Sequence, residues 1–208
     1  MKTKFKEKKL SRLYINTIFV SVLSSYLSWP ILFLIKAQLH EFKYKKNLVG
    51  TWPKEFLNLV VPMANMYVLL SKQIGRQMAF EVMRVGVIST EILLDHKNFF
   101  PIENGRSFEK LKNGLKEALV SGITRWNKAK VIVDSDSKFE MRFTYCIFDD
   151  FFRQQNIPEF TQIICSHANA VFNSYMPEEI IQHRNGIGNR LSANAPECHQ
   201  VIENMKIK

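Results

Sequence analysis

Little in this chain of 208 residues speaks for a secreted or fibrous protein. Three cysteines are too few, and odd in number, for a disulfide framework, which reads as a reducing compartment. No two of them lie within four residues of each other, so the short paired spacing of a structural zinc site is missing. Eight glycines and seven prolines rule out collagen-like and linker-dominated sequences. A hydrophobic fraction of 46% against 23% charged residues rules out a disordered chain and is enough for a core without covalent staples.

Net charge is missing from most of the chain. Residues 1–54 hold eleven Lys and Arg against two Glu, a net of +9 out of the formal +10, and the remainder carries 18 basic against 17 acidic side chains. A nucleic-acid-binding domain spreads basic side chains over a folded face, interleaved with aromatics, so no nucleic-acid partner is expected.

Charge is absent altogether from Leu13 to Ile35, LYINTIFVSVLSSYLSWPILFLI, which lies between two lysine clusters. A bilayer needs about 20 apolar residues, so the run is long enough to cross one. As a spanning helix it would gather Thr17, Ser21, Ser24, Ser25 and Ser28 on one face suited to close packing. As an interfacial helix it would lie on the membrane surface, its flanking lysines on anionic headgroups. As a core element it would break at Trp29–Pro30 into two helices packed on the body. No small-x-small cleavage site follows, so a removed signal peptide is not expected. The expected location is cytoplasmic, at the inner face of the membrane under the first two arrangements. The chain divides into residues 1–52, a basic and apolar helical segment, and residues 53–208, an α+β body.

Within the body, Phe56, Leu59, Val60, Met63, Tyr67 and Leu70 recur at helical spacing, and Gly75 reads as the stop. Met78, Val82, Val85, Ile88 and Ile92 predict the apolar side of a second helix, and Ser107 the N-cap of a third. After Trp126 the period changes to two. AKVIVDSD and KFEMRFTYC predict a hairpin, FDDFFRQQN a helix, and Pro158 and Pro177 the starts of two more. RNGIGNRLS reads as a turn into a strand and ECHQVIEN as a last strand. This order predicts an α+β fold, with N-terminal helices followed by a small antiparallel sheet with interleaved helices.

Chemistry is concentrated in the last third, which holds Cys146, Cys165 and Cys198. Three fates compete: a metal site if the fold gathers them, a nucleophilic thiolate activated by a neighbouring base, or small buried hydrophobes. Spacing alone favours the last, and no metal and no cofactor is assigned. His167 stands two residues from Cys165, on another side of a helix, so an activating imidazole is expected from His199 or His183.

The frame Tyr145–Cys146, Ile157–Pro158–Glu159–Phe160, Cys165 six residues after Glu159, and a strand-borne Cys198 resembles the L-2-amino-thiazoline-4-carboxylic acid hydrolase family. Upstream, VVPMANMYVLLSKQIGRQMAFEVMR resembles that family's helix pair, so the likeness spans about residues 53–203. The resemblance implies hydrolysis of a small cyclic amidine, with Cys146, Cys165 and Cys198 at the motif positions and Cys165 as the reactive thiol or a wall of the site. His167 and Asn169 join them as candidate catalytic residues, flanking Ala168, where the family pattern has an Asp. SANAPEC stands where the family has a Gly-rich turn before the last Cys. Arg184 or Arg190 is the candidate for a substrate carboxylate, on charge alone. The expected partner is a small molecule, together with a membrane surface through residues 13–35. The departures keep open a non-catalytic ligand-binding or sensory module, since the architecture also resembles small-molecule-binding domains of the vinyl-reductase type.

Overall fold

The computed structural model describes residues 12–102, 105–184 and 190–207. The lysines of residues 1–11 and most of the RNGIGNRLS turn therefore lie outside the described residues. Helices α1 (Arg12–Ser24), α2 (Pro30–Lys46), α3 (Lys54–Ile74), α4 (Arg76–Asn98) and α5 (Phe108–Val120) come first. The hairpin β1 (Lys128–Asp134) and β2 (Lys138–Tyr145) follows, then α6 (Ile147–Gln154), α7 (Phe160–Tyr175), β3 (Ile180–His183) and β4 (Cys198–Asn204). The four strands form one antiparallel sheet in the order β1-β2-β4-β3, so the fold is α+β as the sequence predicts.

The apolar run between the lysine clusters is divided at residues 25–29, with Pro30 at the first turn of α2, where its missing N–H costs nothing. Among the described residues no helix is long and apolar enough to cross a membrane. Phe19, Leu23 and Leu27, with Phe33, Leu34 and Ala37 of α2, share one hydrophobic cluster with α3, α4, α6 and the start of α7. Asn65, buried in α3, fixes α2 in place: its amide donates to the Ala37 carbonyl at 2.7 Å and its oxygen accepts from His40 Nδ1 at 2.7 Å.

Gly75 ends α3 at φ 82°, which glycine adopts without strain, and α4 starts on the next residue. The buried side of α4 is set one residue over from the expected one. Ala79, Val82, Met83, Gly86, Val87 and Thr90 face inward, whereas Met78 and Val85 are exposed. Small residues allow the close approach: a Cβ on Gly86 would sit 2.5 Å from the Phe19 ring of α1. Ser107 caps α5 as expected, accepting from Lys110 N at 3.2 Å.

The helix expected after Pro177 is instead a turn leading into β3. Glu178 takes φ 63°, a left-handed conformation that stops helix growth, and the β-branched pair Ile180–Ile181 enters the sheet edge. A second hydrophobic cluster joins the sheet to α5 and the end of α7 through Leu111, Phe139, Met141, Phe172, Tyr175 and Ile202. Helix α7 runs through both clusters, with Phe160 and Ile163 in the first and Val171 and Phe172 in the second.

Candidate functional site

A cavity of about 130 Å³ opens beside the middle of α7, where the two clusters meet, and all three cysteines line it. Each arrives from a different element. Cys146 follows β2 and holds the N-cap position of α6, Cys165 is on α7, and Cys198 begins β4 opposite Phe143. Helical period puts Thr161, Cys165, Ala168 and Phe172 on one face of α7, and strand alternation puts Cys198 and Gln200 on one face of β4. All six border the cavity. Thr161 and Gln200 were legible by these spacings from the two cysteines, and sequence reasoning passed over them because hydroxyl and amide side chains carry no motif of their own.

Of the candidate bases, His167 is the imidazole at the cavity, which corrects the expectation of His199 or His183. The 200° between His167 and Cys165 is real, but the cavity reaches around the flank of α7 and both border it. His199 faces the other side of the sheet, with Nδ1 2.7 Å from Glu140 and Nε2 2.8 Å from Glu197. His183 lies 3.5 Å from Glu203. Asn169 is not among the residues that border the cavity. Ala168 is, so the position where the family pattern has an Asp does face the hollow.

Both candidate arginines are at the site. Arg190, with Leu191 and Ser192, forms one wall, and Arg153 of α6 pins this stretch by donating to the Ser192 carbonyl at 3.2 Å while its Nε holds Asp149 at 2.8 Å. Arg184 stands one step past the last β3–β4 pair, His183 with Val201, on the strand side that Gln182 shares. It is 8% exposed, with Nη1 3.5 Å from Cys198 Sγ and no hydrogen-bond partner for Nε among the described residues. Thr161 Oγ1 and Gln200 Nε2 are likewise buried and unpartnered among those residues. Unmet buried donors are costly, and three of them that no described residue satisfies stand around this one hollow.

Burial disfavours the thiolate form of two of the thiols. Burial pushes Cys146 up to about 12, and burial also raises Cys165, against the opposing pull of Arg184 and Arg190. Iodoacetamide is expected to label Cys146 and Cys165 far more slowly in the folded protein than in urea, as peptide mass spectrometry would read. Equal rates in both states would remove this picture of the site. Among the described residues no three His, Cys, Asp or Glu side chains are grouped to hold a metal ion.

The Glu of the Pro158–Glu159 pair has a different task. It receives Arg76 Nε at 2.7 Å and Nη2 at 2.8 Å, and the Tyr67 hydroxyl also donates to it, so it ties the start of α4 and buried Tyr67 of α3 to the start of α7. Burial works to raise its carboxyl, and the bonds from Arg76 and Tyr67 outweigh that and leave it below the usual carboxylate range. A depressed folded-state value contributes stability that is present above the unfolded carboxylate pKa and is lost as acid titrates the group. Glu159→Ala leaves the Tyr67 hydroxyl buried without this acceptor and is expected to cost about 1–3 kcal/mol. Melting curves should show that cost at neutral pH and a smaller one below about pH 4.

A helix-rich α+β body with a cysteine-lined hollow beside its longest C-terminal helix defines the class of protein. Comparison with known families matches residues 56–189 to L-2-amino-thiazoline-4-carboxylic acid hydrolase. The chain belongs to that family. The match begins in α3 and ends before Arg190, Cys198 and Gln200, so it does not bear on those three, which the geometry places at the cavity. No curated protein and no solved structure matches the chain.

Proposed function

We propose that the cavity binds a small ring bearing a carboxylate and that the chain hydrolyses a cyclic amidine of the thiazoline carboxylate kind. The observation that carries this reading is Arg184, a buried guanidinium at the hollow whose Nε has no partner among the described residues. A hydrocarbon-lined cavity of about 150 Å³ takes up benzene, so about 130 Å³ suits one small ring. In this reading Arg184, helped by Arg190, takes the carboxylate, and Gln200 and Thr161 meet the remaining polar atoms. Water adds across the ring C=N bond at the carbon between nitrogen and sulfur; His167 accepts one of its protons, and the other passes to the ring nitrogen as the carbonyl forms. As the carbon–sulfur bond breaks, the protonated Cys165 thiol gives a proton to the departing sulfur and regains one from His167. The product is an N-carbamoyl cysteine, and Cys146 and Cys198 serve as walls.

The test is incubation of the purified chain with 2-amino-thiazoline-4-carboxylate, following new thiol and product mass. Turnover that falls in His167→Ala and Cys165→Ala supports the assignment, and turnover untouched by both removes those residues from the mechanism. A second reading is favoured by the lack of any Asp or Glu among the described residues that border the cavity. In it the chain binds the same class of ligand without converting it. Its expected signature is a ligand-dependent rise in melting temperature with no product.

A further inference from the structure

We infer that the outward face of α2 is an interfacial anchor that docks this protein on an anionic lipid bilayer. The inward face of α2 is fixed on α3 by Phe33, Leu34, Ala37 and the Asn65 bonds. Its opposite face is an apolar strip of Ile31, Leu32, Ile35, Leu39 and Phe42, all exposed, with Leu39 at 76% and Phe42 at 69%. At 100° per residue these five occupy an arc of about 100°, and the helix is about 25 Å long. Trp29, 72% exposed, and Tyr26 stand at its N-terminal end, and such rings favour the headgroup level.

Charge decides the occupant. Lys36 and Lys43 line one edge of the strip and Lys45 the other, and Lys46 sits 4.4 Å over the Phe42 ring. Glu41, the one acidic residue of the helix, is bound to Lys45 at 2.7 Å. A second copy on this face would set lysines against lysines. Residues 1–11 carry Lys2, Lys4, Lys6, Lys8 and Lys9 against Glu7, so they too share the sign of the helix. An anionic bilayer meets both demands, with a hydrocarbon boundary for the strip and phosphate and carboxylate headgroups for its edges. The near-neutral remainder of the chain leaves the attraction concentrated at this end.

The test is flotation of the full-length protein with vesicles of phosphatidylcholine alone or mixed with phosphatidylserine. Binding is expected on the mixed vesicles, weakened by salt, and much weaker on phosphatidylcholine alone. Lys36→Glu with Lys43→Glu should reduce it by at least about fivefold per lysine, and Leu39→Ser with Phe42→Ser should abolish it, with melting temperatures unchanged because all four side chains are exposed. No binding to the mixed vesicles overturns the inference. So does binding that both double variants keep, which would assign attachment to residues 1–11. A concentration-dependent dimer lost in Leu39→Ser with Phe42→Ser, without vesicle binding, also overturns it in favour of a second copy.

Discussion

Replacing Arg184 by methionine is expected to weaken binding of a carboxylate-bearing ring by about ten- to a hundredfold while leaving the ligand-free protein at least as stable. The two signs have one cause. Arg184 is buried beside Cys198 with no carboxylate paired to it among the described residues, so the empty protein bears the cost of a desolvated cation. A hydrogen bond to a charged partner contributes about 1.5–3 kcal/mol, and a bound carboxylate would regain it. Methionine fills similar volume without the charge. Lysine keeps the charge but not the planar fork, so Arg184→Lys should fall between. Calorimetric titration with the thiazoline carboxylate, paired with melting curves, reads both effects. A lower melting temperature with unchanged affinity would make Arg184 a structural residue and end its role in the site.

The second large effect belongs to Phe56. Its fully buried ring lies 5.3–6.0 Å from four others, Trp52, Trp126, Phe148 and Phe151. Phe56→Ala is expected to cost about 3–5 kcal/mol, a large part of the 5–15 kcal/mol that holds an ordinary domain together. Phe148 is also a cavity wall, so the same change should loosen ligand binding even where the fold survives. Chemical denaturation checks the first effect and titration below the transition checks the second. A loss under about 1 kcal/mol would show that the surrounding rings close the gap.

Period and punctuation made the hairpin readable: DSDS separates two alternating runs, and the strands form on either side of it. Trp29–Pro30 and Gly75 marked real breaks for the same reason, since proline and glycine act locally. The side of α4 is not legible from its bulky residues, because close helix packing selects Ala79, Gly86 and Thr90. The turn at Glu178 was hidden because a positive φ at glutamate has no sequence signature. The cysteine frame came from resemblance, and its convergence on one hollow came from topology. Residues 146, 165 and 198 meet only because β4 pairs with β2 and α7 crosses beside them. Helical geometry argued against His167 only as the partner of Cys165, being right for the helix and silent on the shape of the space around it.

Because α7 threads two separate hydrophobic clusters and the hollow sits at its midpoint, any guest there would behave as a keystone. It would press on Phe148 from one side and on Phe99, Phe143 and Phe172 from the other, making the ordering of each half depend on the other. Amide exchange should then slow together in α3 and β4 once the guest is seated, although those elements lie in different clusters. Affinity in such a protein is at the same time a measure of how firmly its two halves are spliced.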